Sequence, residues 1–186
     1  ELMNAAEGNP DALVLIAYTD DGGITIIRQA LENGFFDEFV FTDGLKAPEI
    51  AEGIEGFLEG MYGTTPTSLP GGKGPQLFKE MYMEEYGETT PKPYIDTAYD
   101  AVFILAMAIE KAGVAEGPAI KEAINGLLDP EGETVNINEW AKAKQLIAEG
   151  KTIKYEGASG PVYFDEVGDR DRKSTRLNSS HYRTSR

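Results

Sequence analysis

A six-residue apolar run, ALVLIA at 12–17, opens the ordered pattern of the chain. A polar turn, a helix-spaced stretch and a second turn follow, and then a shorter apolar run at 39–41. An apolar run this short, without alternation, suits a central parallel strand covered on both faces. Asp20 or Asp21 is placed to cap a helix beginning near Gly22. In that helix Ile24, Ile27, Ala30 and Leu31 share one face, and Asn33-Gly34 stops it. Phe39, Val40 and Phe41 make the second strand, which ends in Thr42-Asp43-Gly44. A strand–helix–strand unit closes with a right-handed crossover and parallel strands. Tyr18 and Asp43, at the two strand ends, then fall on one edge of the sheet. Open α/β sheets bind small ligands at that edge.

The rest of the pattern is mostly helical. Pro48 starts a short helix over 48–53, and 56–62 reads as a strand. Residues 63–75, GTTPTSLPGGKGP, form the clearest linker and lobe boundary. The GGKG there does not complete the Gly-x-x-x-x-Gly-Lys-Ser/Thr of a phosphate-binding loop, since Gly74 and then Pro75 follow Lys73. Helices are expected at 76–86, 94–112, 118–128 and 139–149. In the longest, Ile95, Ala98, Tyr99, Val102, Leu105, Ala106 and Ile109 make an apolar stripe, whose aromatic positions read as core. Residues 129–138 read as a polar loop, Trp140 as a partly buried packing residue, and 151–155 and 161–164 as short strands.

Composition narrows the chemistry. The chain has 186 residues, no cysteine and one histidine, His181. Disulfides, thiolate nucleophiles, serine–histidine catalysis and most zinc geometries are therefore excluded from residues 1–169. No metal, cofactor or catalytic residue is expected. No run approaches the length of a membrane span, and the first residues do not read as a signal peptide. The chain reads as a fragment that begins inside an element.

Charge is unevenly spread. Residues 1–169 hold eleven basic and thirty-one acidic residues, a net charge of −20. A body this acidic does not bind nucleic acid through phosphate neutralisation; it reads as a solubility adaptation. Residues 170–186, RDRKSTRLNSSHYRTSR, reverse the sign with six basic residues against one acidic. They read as a foreign basic tail, since KSTRLNSSH resembles the conceptual translation of sequencing-adaptor DNA. The tail is expected to lack regular structure and to touch the body little.

Four stretches together resemble one family: residues 11–34, 39–44, 94–113 with its Ala98-Tyr99-Asp100-Ala101 centre, and YEGASGPVYFDEVGD at 155–169. The family is that of the periplasmic substrate-binding proteins of branched-chain amino acid ABC transporters. The resemblance implies a type I periplasmic-binding-protein-like α/β fold, with parallel sheets flanked by helices. It implies two lobes, here incomplete, with the ligand held between them. Residues 1–62 would be part of the second lobe, 63–75 a hinge crossing, and 76–169 the C-terminal part of the first lobe.

The resemblance also implies a function: extracytoplasmic capture of an amino acid for a membrane permease, without cofactor, by a protein monomeric when complete. The family's aromatic residue at the end of the first strand and acid at the end of the next match Tyr18 and Asp43. An ammonium group leaving water needs an ionised partner, which Asp43 would supply, while Tyr18 would pack its ring on the ligand. The plainer readings are that Asp43 is a turn residue and Tyr18 a strand-end packing residue. Rival functions are a sensor of the same fold, a binding protein for an amide, urea or short carboxylate, and, more remotely, a carboxylate-based hydrolase.

Overall fold

A computed structural model describes residues 1–54, 56–66, 72–165, 168–170 and 180–183, the last four by their backbone only. The described residues form two compact units. One comprises 1–66, 91–93 and 180–183; the other comprises 72–90 and 94–170. Of the expected linker at 63–75, residues 67–71 lie outside the described residues, as do 171–179 and 184–186.

In the first unit β1 (Leu13–Leu15), β2 (Phe39–Phe41) and β3 (Tyr62–Thr65) pair side by side and parallel, with Leu15 opposite Phe41 and Val40 opposite Tyr62. Helix α1 (Leu2–Ala5) precedes β1, α2 (Gly23–Glu32) is the crossover from β1 to β2, and α3 (Pro48–Gly53) follows β2. The expected stripe on α2 packs inward: Ile27 and Ala30 are buried with Leu15, Phe39, Phe41 and Leu45, and Ile24 and Leu31 pack against them.

Three expectations are corrected here. The strand run is not covered on both faces. Val14 is 64% exposed and Ile16 81%, and Val14 lies in register with Val40 and Tyr62, which are also exposed. The third strand begins at Tyr62 and not at 56, because Gly56 and Gly60 both take positive φ and turn the chain before it. The tail does not wholly lack regular structure: the backbone of 180–183 forms β7 (Ser180–Arg183), antiparallel to β3. Backbone pairing satisfies the open edge of β3 whatever the side-chain charge.

In the second unit α4 (Lys73–Tyr86), α5 (Ile95–Ala112), α6 (Gly117–Asn125) and α7 (Trp140–Ala148) surround a small sheet of β4 (Leu128–Asn136), β5 (Ile153–Gly157) and β6 (Gly160–Pro161). Strand β4 stands where a polar loop was expected. It pairs parallel with β5, and a bulge places both Leu128 and Glu133 opposite Ile153. Within β4 only Val135 is a fully buried apolar residue, so the stretch has little strand pattern; the ladder to β5 makes it a strand. Trp140 is partly buried and meets Phe103 edge-on at 5.9 Å.

The face of α5 is also corrected. Val102 and Leu105 are exposed, and the buried face runs through Asp100, Ile104, Met107 and Ala108. Asp100, a polar residue, sits on that inner face. It is 3% exposed, and its carboxylate accepts four hydrogen bonds. The Tyr155 hydroxyl (2.9 Å) and the Ala158 N–H (2.6 Å) donate to one oxygen. The Ser159 N–H (2.8 Å) and hydroxyl (2.6 Å) donate to the other. Any side chain at Gly157 would run into this carboxylate, its Cβ lying 2.6 Å from Oδ2. Arg170, counted with the tail on charge, donates to the Ser159 hydroxyl oxygen (3.1 Å) and the Pro161 carbonyl (2.9 Å).

Burial pushes the Asp100 carboxyl above its ordinary value, while the Ser159 donors pull it back down. Because its folded value is raised, its ionisation weakens the fold: this contribution to stability is full below the ordinary carboxylate range and lost as pH rises through the shifted value. Ser159→Ala removes the hydroxyl donor, so the Asp100 titration midpoint should move further up. Carboxyl carbon-13 NMR titration of parent and variant checks this; a midpoint that falls or stays would contradict the hydrogen-bond assignment.

Candidate ligand-binding site

Strand β1 ends at Leu15, and the chain runs on extended to Tyr18 (φ −112°, ψ 149°). A 3-10 turn, Thr19–Asp21, then leads through Gly22 into α2. Gly22 is the N-cap with φ +83°, a value suited to glycine, and no side chain caps the helix. The expected capping by Asp20 or Asp21 is therefore corrected: both sit inside the 3-10 turn. The turn is held by the Tyr18 carbonyl, which accepts from the Asp21 N–H (3.3 Å) and the Gly23 N–H (3.0 Å).

Strand β2 leads through Thr42 into a second 3-10 turn, Asp43–Leu45. Parallel pairing of Leu15 with Phe41 puts both turns at the same edge of the sheet. There the two sequence-predicted residues come together. A Cβ on Gly44 would collide with the Ala17 carbonyl and lie 2.8 Å and 3.0 Å from Cδ1 and Cε1 of Tyr18. The Tyr18 ring thus lies directly against the backbone that follows Asp43. Tyr18 is 62% exposed, so its ring is offered outward and not spent in the core. Asp43 is half-buried at the start of its turn. An aromatic face beside a carboxylate can receive an ammonium group with an apolar substituent.

A cation at this edge was not visible in the sequence. Lys92 places its ammonium 2.9 Å from Asp20 Oδ2 and 3.5 Å from Glu49 Oε1, Glu49 lying in the first turn of α3. The hydrogen bond to Asp20 holds the Lys92 ammonium above its ordinary pKa. Lys92 is 72 residues from Asp20 in the chain, a separation that no local spacing rule spans.

Two further observations bound the chemistry. No group of three or more His, Asp or Glu side chains among the described residues could hold a metal ion. A groove of about 660 Å³ lies between α4 and α5 in the second unit, lined by Phe78, Tyr82, Tyr86, Tyr99 and Val102 among others. Its aromatic rings pack on one another, Phe78 on Tyr99 at 5.3 Å and Tyr82 on Tyr86 at 4.6 Å; Tyr99 packs against the core as expected, while Tyr86 is exposed. Neither Tyr18 nor Asp43 lines it.

Comparisons with known proteins agree with this architecture. A family model described as periplasmic binding protein matches residues 2–171. The leucine-binding protein LivK of Thermotoga maritima is 30% identical, with a TM-score of 0.61 over 91% of this chain and 41% of that one. The substrate-binding protein LivJ of the branched-chain amino acid transporter of Streptococcus pneumoniae, solved with isoleucine, shares the fold. It is 21% identical, with a TM-score of 0.57 over 89% of this chain and 40% of that one. The substrate-binding protein BasB of a chemotactic signal transduction system in Halobacterium salinarum is 29% identical over 76 residues, 40% of this chain and 18% of BasB. The chain thus spans about two fifths of the length of the solved relatives.

Close packing at Gly44 generates a prediction. Gly44→Ala must drive the Ala17 carbonyl and the Tyr18 ring away from the turn. Because one of the obstacles is backbone, rotation of a side chain cannot relieve it. A loss of about 1–3 kcal/mol is expected by thermal or denaturant unfolding, with shifted Tyr18 ring signals. An unchanged midpoint and an unchanged Tyr18 spectrum would contradict the contact.

Proposed function

The chain belongs to the periplasmic binding protein family, and we propose that it is part of a non-catalytic, extracytoplasmic protein that captures an amino acid, branched-chain or similar, for an ABC-type permease. The observation that carries the proposal is the contact of the Tyr18 ring with the turn of Asp43. It puts an exposed aromatic face against the backbone that follows Asp43, at the edge where two parallel strands end. In this reading Asp43 takes the ligand ammonium and Tyr18 covers the ligand's apolar part. The hinge crossing near 63–75 and the lobe assignments to either side belong to the same proposal. An amide or urea has no ammonium to pair with Asp43, so the carboxylate favours an amine-bearing ligand. The family's work with membrane permeases supports the transport partner.

A second reading has one specific observation behind it. Because BasB serves a chemotactic signal transduction system, the same ligand site could report to a receptor and not to a permease. Ligand chemistry is common to both readings, and the partner distinguishes them.

In the full-length protein, Asp43→Asn should weaken amino-acid binding by a few hundredfold or more with the fold intact. Removing one partner of a buried charge pair costs roughly 3–5 kcal/mol. Tyr18→Ala should cost less, since it removes packing and at most one hydrogen bond. Calorimetry with leucine, isoleucine and valine measures both, and equal affinity in Asp43→Asn and parent removes Asp43 from the site.

The 186-residue chain by itself should bind these amino acids more weakly than micromolar. Micromolar affinity needs about 8 kcal/mol. An ion pair open to water supplies only about 0–1 kcal/mol, and Tyr18 is mostly exposed. Calorimetry on the isolated chain tests this, and a micromolar or tighter constant would mean that the site needs no second surface.

A further inference from the structure

We propose that Lys92 is a positioning residue for the site of Tyr18 and Asp43. Its ammonium ties the turn that follows Tyr18 to the helix that follows the turn of Asp43. The inference rests on the reading of that site given above, and adds to it a residue that touches no ligand.

The geometry is specific. Asp20 lies in the turn directly after Tyr18, and Glu49 lies in the helix that begins soon after the turn of Asp43. One ammonium reaches both, at 2.9 Å and 3.5 Å. Without it, two like charges would face each other across the exits of β1 and β2. With it, the turn of Asp20 is joined through side chains to α3, which follows the turn of Asp43. The two turns are themselves single 3-10 turns without side-chain caps, and such turns have few hydrogen bonds of their own to fix their spacing. A single exposed ion pair would do little; a cation shared by two carboxylates is a small network, the case in which surface charges count. The Asp20 bond favours the protonated form of Lys92, so the tie is intact across the neutral range. Its sensitivity is to salt, because all three groups are partly exposed.

The spacing matters because the Tyr18 ring and the Asp43 turn touch through Gly44 with no slack. A small separation of the turns would move the ring relative to the carboxylate. Lys92 therefore acts on ligand affinity through the loops, and its charge and reach are what the role requires.

The test compares parent, Lys92→Met, Lys92→Arg and Asp43→Asn in the full-length product, by calorimetry with leucine at low and at high salt. Lys92→Met keeps the stem and removes the charge. It should bind about three- to fivefold more weakly at low salt, with the gap closing near 1 M salt and the melting temperature unchanged. Lys92→Arg should restore parental affinity. Parental affinity in Lys92→Met beside a large loss in Asp43→Asn would overturn the tie and leave the site standing. No loss in Asp43→Asn would remove the site and the tie with it. A Lys92→Met defect that ignores salt, resists Lys92→Arg or lowers the melting temperature would mean packing only, and would also overturn it. A ligand-free readout covers the case of a ligand other than leucine. The Tyr18 and Gly44 amide signals should shift in Lys92→Met and return in Lys92→Arg; signals that do not move would overturn the proposal.

Discussion

Parallel pairing of β1 with β2 is the constraint from which the candidate site follows. Two parallel strands joined by a helix must leave the sheet in the same direction. Their exits, Tyr18 and Asp43, are brought to one edge although they are far apart in the chain. The pairing of Leu15 with Phe41 sets the offset between them. Gly44 then sets the contact, since only a residue without a Cβ lets the Tyr18 ring reach the backbone after Asp43. Site geometry thus depends on one register and one glycine. Side-chain choice at Tyr18 and Asp43 adds chemistry to a place that the backbone has already made.

Two aspartates show how surroundings decide a carboxylate's use. Asp100 has its four acceptor positions filled by donors from Tyr155, Ala158 and Ser159, and is closed to water. Such a group joins α5 to the β5–β6 hairpin, and it has nothing left to offer a ligand. Asp43 stands at a sheet edge in a half-buried turn, beside an exposed ring. Both residues belong to stretches on which the family resemblance rests. The structural role of Asp100 becomes legible only when its burial and donors are known.

The sequence carried the parallel unit well, because a short apolar run, a helix stripe and turn residues all agreed for 12–44. The position of Tyr18 and Asp43 at one sheet edge followed for the same reason: strand ends follow from strand positions. The sequence misled where a backbone ladder or a buried polar group overrode the side-chain pattern. Strand β4 has the composition of a loop and is held by β5. On α5, a stripe drawn through apolar residues alone passed over Asp100, although the four donors to it make that face the inner one. Lys92 was invisible because an ion pair across the fold leaves no periodic mark.

The acidic body bears on how an amino acid would be chosen. With a net charge of −20 over residues 1–169, the surface field attracts a cation and repels an anion. A zwitterionic amino acid has no net charge, so that field attracts its ammonium and repels its carboxylate almost equally. Long-range steering then contributes little, and salt screens what remains. In the proposed site, discrimination would come from contact distance, with Asp43 meeting the ammonium and the carboxylate held elsewhere. Lys92 fits this division of labour: it is already shared by Asp20 and Glu49. An incoming carboxylate would have to displace one of them and face the other's charge. The cation at this edge is therefore better suited to shaping the loops than to holding the ligand.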